Sequence, residues 1–473
     1  MKKYKFVILG AGLNGLSVAY ELSKEHPGEV CVLEKEGQVG GMAKTIVRQD
    51  RCYDLGSHRI HAQVSREIFQ YLEEFVGEDL ISNVRGGRLR IKDKYIEYPI
   101  KPAQFFTTIG LRNLGSFIFS LIYNRCRGLL AAGRPDQGNT YEGYLRKQVG
   151  DRVYGLFYEP YAKKIFGLPP AEISITAVKK RMSLLSPFGF VKNMLVRHFV
   201  GAKPDRYYYF KNGIGELAQE LECRLADRHV DIFKGVREFV LNGDKDIKEI
   251  RWLSLDGRQE VIRYEKLVST IPVDVLCQKL AFKGCVDQNM WRGLRLVFLH
   301  INQAPALSGE TFYFPELKYP FGRVSIPQRF FVGMQPAHGD VSYVCEVPCT
   351  QGDALWQMDD QALGRMCHQG LIEANLVTGS SRMNEGLNFT LKIPEVYSVY
   401  FLGWEERMQQ MVDFLDQQYA DIYTCGRLGL FLHCNIDHAI EMGQQLAAGL
   451  LRGMTSREWH ARRHLFHEMK VRD

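Results

Sequence analysis

Lys5-Phe-Val-Ile-Leu-Gly10-Ala-Gly12-Leu-Asn-Gly15, and downstream Glu29-Val-Cys-Val-Leu-Glu34, carry the reading that decides the fold. Residues 5–9 are a short apolar run of the buried-strand kind. Residues 11–24 set Leu16, Ala19, Tyr20 and Leu22 at helical spacing, and residues 29–33 form a second buried strand. Strand, helix and strand in this order imply a parallel sheet. The three glycines fit G-x-G-x-x-G at the place where a strand hands over to a helix. Gly10 permits the tight turn, Gly12 lets a pyrophosphate approach the backbone, and Gly15 lets helix pack closely on strand. The helix start, with Leu13 and Asn14, offers amide hydrogens and a partial positive charge to phosphates. Glu34 stands 19 residues after Gly15, placed to accept hydrogen bonds from ribose hydroxyls.

Outward from this unit the chain alternates. A hairpin is expected over 85–98, with its turn at 92–94. Helical patterns fill 101–200, with a Gly/Pro/Asp-rich break at 133–139. Strand-like text returns at 207–210, 230–233, 247–254 and 267–270. Residues 312–351 alternate as strands do, and 437–453 read as the last helix. The chain leaves the nucleotide fold twice and returns to it twice. No internal repeat or low-complexity tract is visible.

Composition bounds the class. The chain has 473 residues, 45% hydrophobic and 24% charged, as an ordinary folded protein does, which argues against disorder and disulfide miniatures. Lys+Arg 61 against Asp+Glu 54 leaves +7, too mild to imply nucleic acid. Eleven scattered cysteines contain no Cys-x-x-Cys pair, so they read as free thiols in a reducing cytoplasm and no metal site is expected. The longest apolar stretch away from the N-terminus, 115–123, is about half of the roughly 20 residues of a spanning helix. Residues 104–132 mix apolar residues with Arg112, Arg125 and Arg127. The pattern favours a helix packed on its own domain, with peripheral contact to a lipid surface as the alternative. No serine or cysteine triad or P-loop occurs, and nothing fixes the oligomeric state.

Beyond Glu34-Lys35 the text continues to a second glycine pair, Gly40-Gly41-Met42. It resembles the extended FAD signature of amine oxidases, protoporphyrinogen oxidases, phytoene desaturases and UDP-galactopyranose mutases. Lys211-Asn-Gly213-Ile-Gly215 is similar to their internal glycine turn. Val236 matches the residue whose backbone meets adenine there, and 267–272 their returning strand. Tyr53-Asp-Leu-Gly56-Ser57-His58 resembles the segment lying against the flavin. The resemblance implies a histidine near the isoalloxazine at His58, with a backbone-bonded histidine as the alternative. Cys425-Gly426-Arg427 and Asn435-Ile436-Asp437-His438 resemble the second flavin motif. Gly426-Arg427 would end a strand, Arg427 would meet the diphosphate, and 435–438 would open the last helix.

The order of motifs places the chain close to the mutases and protoporphyrinogen-oxidase-like proteins. The resemblance implies an α/β fold, α+β overall. A Rossmann-like FAD domain (1–75, 201–275, 395–473) would interleave with a helical and β-sheet substrate domain (76–200, 276–394). It further implies that Tyr161 and Phe166 stand where the mutases carry substrate-stacking aromatics, core packing being the alternative. Arg181 and Arg323 fall near phosphate-binding arginines, so with His58 they are the catalytic candidates. Two activities follow as expectations for a small-molecule substrate, with a nucleotide-diphosphate sugar among the candidates. One is an FAD-dependent oxidoreductase with a flavin-facing pocket. The other is a mutase-like isomerase in which reduced flavin N5 acts as nucleophile. A non-catalytic FAD-binding protein is a third, lesser reading.

Overall fold

The computed structural model describes residues 2–98, 139–181, 205–244, 247–254, 257–284, 290–330 and 339–471, together with Gln104, Thr107, Thr108, Gly115 and Tyr123. The stretches read above as 104–132 and 133–139 lie almost wholly outside the described residues, as does the side chain of Arg181. The chain forms two compact units. The first comprises Met1–Ile81, Tyr208–Gln288 and Gly403–Asp473, the second Ser82–Tyr207 and Asn289–Leu402.

The first unit begins with β1 (Lys2–Leu9), α1 (Leu13–Glu25) and β2 (Val30–Glu34). β1 and β2 pair in parallel from Phe6↔Val30 to Leu9↔Leu33. β2 is buried at every position and β1 over its C-terminal half, which is why both read as unbroken apolar runs rather than as alternation. The sheet extends on one side to Asp231–Lys234, and on the other to Gln259–Ser269 and then Ile422–Thr424, all parallel. An antiparallel hairpin, Phe239–Asp244 and Ile247–Leu253, joins the early part of Gln259–Ser269. The helices α1, Gly215–Asp227 and Ile436–Leu451 contribute Leu16, Leu217, Leu221 and Leu446 to one core with Ile8 and Val32. Sequence-distant pieces are thus assembled by parallel pairing, whose crossovers demand long connections.

The second unit carries a seven-stranded sheet. Its order is Phe389–Ser398, Trp291–Ile301, Val341–Cys349, Arg323–Ser325, Thr311–Tyr313, Gly87–Ile91 and Lys94–Tyr98. All neighbours are antiparallel except Thr311–Tyr313 with Gly87–Ile91. The expected hairpin is present, its turn taken by Lys92 at φ +55°. Helix Asp360–Glu373 buries Leu363, Cys367 and Leu371 against Leu299 and Tyr343.

Two local expectations are corrected. The strand before Gly426 ends at Thr424, and Gly426–Gly429 is a helical turn. Helix Ile436–Leu451 is not the last, because Ser456–Ala461 and Arg463–Glu468 follow it. A capping box of Thr455 and Glu458 starts the first of these, a signal that fits a Thr-x-x-Glu spacing. Among the described residues no helix is long and apolar enough to cross a membrane. No cluster of three or more His, Cys, Asp or Glu could hold a metal ion among them.

Candidate cofactor site

In the first unit, the sequence-predicted residues converge on the turn between β1 and α1. Gly10 sits at φ +100°, and a Cβ there would lie 2.4 Å from Thr270 Oγ1. The Thr270 hydroxyl donates to the Leu9 carbonyl at 2.8 Å. A Cβ on Gly15 would lie 2.1 Å from the Gly10 carbonyl oxygen, so only glycine lets α1 start this close to the turn. Gly12 differs: a Cβ there would meet nothing within 4 Å. Gly12 is also the N-cap of α1, and no side chain caps the helix. Open space beside an uncapped helix start is what a pyrophosphate needs. This cradle fits a dinucleotide.

The second glycine pair closes on the first. The Gly40 amide donates to the Ala11 carbonyl at 2.8 Å, and a Cβ on Gly41 would lie 3.1 Å from Gly12 Cα. Met42 beside it is half-buried, while Lys35 is exposed. Glu34 is buried, and its carboxylate accepts from the Ala11 amide at 2.7 Å and the Glu36 amide at 2.9 Å. Each oxygen keeps a second lone-pair direction for a ribose hydroxyl. Val236 is buried, and its amide donates to the Glu34 carbonyl at 2.8 Å. The residue expected at the adenine is thereby tied to the residue expected at the ribose.

Behind this cradle lies a group the sequence reading passed over. Asp54 is 4% exposed. Its carboxylate accepts from the Tyr209 hydroxyl at 2.6 Å, from the Ile214 amide at 3.2 Å and from the Thr45 hydroxyl. Thr45 Oγ1 in turn accepts from the Gly215 amide at 2.8 Å. A Cβ on Gly213 would lie 2.5 Å from Thr45 Oγ1 and 2.8 Å from Asp54 Oδ1, and one on Gly215 would lie 2.4 Å from the Thr45 amide nitrogen. The internal glycine turn is therefore glycine because Asp54 and Thr45 occupy the Cβ positions. One carboxylate links the strand after the Gly-Gly pair, the internal turn and its own segment, Tyr53–His58. Burial pushes the Asp54 carboxyl up to about 6, against the pull of the Thr45, Tyr209 and Ile214 hydrogen bonds. Asp54 stands inside the quoted motif Tyr53-Asp-Leu-Gly56. Its signal was an acid set between Tyr53 and Leu55, whose burial is costly unless hydrogen-bonded.

Gly56 follows at φ +99°, then Ser57 and His58, both half-buried. A His58 ring nitrogen, Nε2, lies 3.0 Å from the Leu55 carbonyl.

The C-terminal motif meets the fingerprint directly. Gly426 has φ +78°, and a Cβ there would lie 2.8 Å from Asn14 Oδ1. The Asn14 amide group donates to the Ala439 carbonyl at 2.7 Å. Arg427 Nη2 lies 3.1 Å from His433 Nδ1. Asn435 caps helix Ile436–Leu451 in a capping box with His438. Asp437 in the first turn lies 3.8 Å from His438.

The second unit holds the expected substrate residues, and Tyr161, Phe166 and Arg323 already have protein partners. Helix Glu159–Phe166 carries Pro160 as its second residue and stops at Gly167, φ +71°, a left-handed position that suits glycine. Tyr161 stacks on Phe157 with 5.8 Å between ring centroids and 8° between planes. Phe166 is buried, its ring meeting Tyr141 edge-on at 6.3 Å. Lys164 of the same helix is buried and donates to the carbonyls of Phe314 at 2.9 Å, Phe321 at 3.0 Å and Glu316. Burial pushes its ammonium down to about 7, with Glu316 opposing. Lys164 thus ties this helix to the loop that leads into Arg323. Arg323 Nε donates to Glu346 Oε1 at 2.7 Å across the paired strands Arg323–Ser325 and Val341–Cys349. Burial works against the guanidinium charge there, but Glu346 and the tyrosines Tyr397 and Tyr313 hold it well above its usual range. Arg181 ends helix Thr176–Arg181.

Comparison with known proteins agrees with this geometry. Residues 8–75 match the NAD(P)-binding Rossmann-like domain family. An L-amino acid oxidase of Crotalus durissus cumanensis is 35% identical over 160 residues, 30% of this chain and 31% of that protein. The chain thus spans about a third of the length of the first curated relatives it matches. Human protoporphyrinogen oxidase is 22% identical over 298 residues, 58% of this chain and 61% of that protein. Among solved structures, a reduced UDP-galactopyranose mutase superposes with TM-score 0.79 at 19% identity, covering 99% of this chain and all of that one. The expected likeness to amine oxidases, protoporphyrinogen oxidases and UDP-galactopyranose mutases is found, and the α/β fold class with its Rossmann-like domain stands.

Proposed function

We propose an FAD-dependent oxidoreductase acting on a small molecule, for a chain that shares part of its sequence with an L-amino acid oxidase and protoporphyrinogen oxidase and its fold with solved flavoprotein structures. The observation that carries this reading is the glycine cradle, in which Gly12 opens on free space and Gly10, Gly15, Gly213 and Gly426 admit no side chain. Gly12, Leu13 and Asn14 would hold the pyrophosphate, Glu34 the ribose and Val236 the adenine. Gly41, Met42, Gly56, Ser57 and His58 would line the flavin end, with Arg427 and residues 435–437 closing it. Bound FAD supplies a hydride acceptor or, when reduced, a nucleophile. The protein's part is to orient the partners and keep water out. Arg323, held charged beside Glu346, would supply a cation for an anionic group of the substrate, with Arg181 as its second. Tyr161 would offer a ring face, and Phe166 would support it from the core. A cytoplasmic location rests on the cysteine pattern alone.

The whole-chain superposition on a mutase favours a second reading, a mutase-like isomerase acting on a nucleotide-diphosphate sugar. One pair of assays separates the two. Under the first reading, a donor from an amine, amino acid and porphyrinogen panel bleaches the flavin anaerobically, and oxygen restores it. Under the second, dithionite-reduced protein converts UDP-galactopyranose to its furanose form, read by chromatography. A preparation that takes up no FAD on reconstitution overturns both.

A further inference from the structure

The helix Ser456–Ala461 lies outside every cofactor motif, yet it grips the strand that delivers Gly426 and Arg427. The Trp459 indole N–H donates to the Thr424 carbonyl at 2.8 Å. On the other side of the same residue, His460 Nε2 lies 3.2 Å from the Thr424 amide nitrogen and 3.1 Å from its hydroxyl. The other ring nitrogen, Nδ1, lies 2.7 Å from Asp416 Oδ1. A backbone amide can only donate, so Nε2 accepts, and Nδ1 carries the hydrogen that goes to Asp416. Thr424, Trp459 and His460 are all buried. Around the pair stand Asp413 and Asp416 from helix Trp404–Gln418, Ser456 from the same helix as His460, and Arg463 from the next one. Strand Ile422–Thr424 is pinned from its other edge by Ser269, whose carbonyl accepts from the Cys425 amide at 2.9 Å. Two residues beyond Thr424, Gly426 lies so close to Asn14 that a shift of the strand end passes straight to the glycine fingerprint.

We propose that the Asp416–His460 pair is a positioning device for the cofactor: the imidazole orients the Thr424 peptide and thereby sets Gly426 and Arg427 against the fingerprint. This rests on the reading of Gly426 and Arg427 as cofactor residues. His460 itself touches no cofactor, so it is a positioning residue, and its chemistry is separable by two substitutions. The short amide of His460→Asn reaches Asp416 and leaves the Thr424 amide without an acceptor. The longer amide of His460→Gln places an oxygen where Nε2 stands and keeps that bond.

The test is titration of each apoprotein with FAD, read by flavin fluorescence, alongside apoprotein thermal melting. His460→Asn is expected to weaken FAD binding about tenfold, and His460→Gln to stay within about threefold of the parent protein. Equal affinities for the two variants overturn the proposal. Arg427→Ala, titrated in parallel, keeps the underlying reading separate. Full FAD affinity in Arg427→Ala sinks the motif assignment, whereas its loss together with an unaffected His460→Asn sinks only the positioning role. Should His460→Asn fail to fold, hydrogen exchange on the unaltered protein decides. FAD is expected to slow exchange in 456–461 as well as in 424–427, and protection confined to 424–427 overturns the proposal.

Discussion

The two units are built for recognition in opposite ways. In the first, the fingerprint offers backbone amides, and Gly10, Gly15, Gly213 and Gly426 are glycines because a Cβ would meet protein atoms, while Gly12 opens on free space. In the second, the candidate groups are side chains that already have protein partners: Arg323 with Glu346, Tyr161 with Phe157, and Phe166 in the core. A backbone site is specified by where a Cβ is forbidden, and glycine spacing prints that directly into the sequence. A side-chain site depends on which of several partners wins in three dimensions, and the sequence prints only the residue type. The difference teaches that a glycine motif carries its geometry in the sequence, whereas a side-chain site does not.

Four substitutions can break or sharpen this contrast. The largest effect is expected from Gly12→Val. Its side chain meets no protein atom at Cβ, so the apoprotein should keep its circular dichroism and melting temperature. The purified protein should be colourless, since the side chain fills the pyrophosphate space. A yellow Gly12→Val protein would remove the backbone site from the argument.

Next comes Arg323→Ala in the second unit. It strands Glu346, which is 2% exposed, and should cost about 3 kcal/mol of stability. FAD content per folded protein should remain unchanged. Replacing both partners, as Arg323→Met with Glu346→Leu, should recover much of the stability while substrate turnover stays lost. Loss of flavin from Arg323→Ala would show that the two kinds of site are not independent.

Asp54 offers a pH test within the first unit. Its folded carboxyl is raised to about 6, above its ordinary value. The folded state therefore binds the extra proton in between. This stabilisation is complete below about pH 4 and is lost as pH rises through about 6, an effect of about 3 kcal/mol. Denaturant unfolding at a series of pH values should show that fall in the parent protein and lose it in Asp54→Asn. A parallel pair of profiles would mean that the carboxyl is not raised.

The smallest effect is expected for Glu34→Gln. The amide can still accept through one oxygen but presents hydrogens to the Ala11 or Glu36 amide, so FAD affinity should drop about tenfold without loss of fold. Isothermal titration measures it, and an unchanged affinity would take Glu34 out of the ribose site.

Local chemistry alone determined the first strand–helix–strand unit, its Gly10-Gly12-Gly15 turn and the hairpin turn at Lys92. Each rests on residues a few positions apart, so their periodicity and turn preferences lie within one short window. The C-terminal flavin segment was legible as a motif but misread at its edges, since neither the end of strand Ile422–Thr424 nor the two helices after Leu451 follow from spacing. Only the tertiary structure disclosed Asp54, Lys164 and His460. Their partners lie far away in the chain: Tyr209 stands 155 residues from Asp54, Phe321 157 from Lys164, and Asp416 44 from His460. A buried polar side chain is tolerated only where its hydrogen bonds are met. Which distant groups meet them is decided only when separate parts of the chain close into each unit, a choice no local window contains.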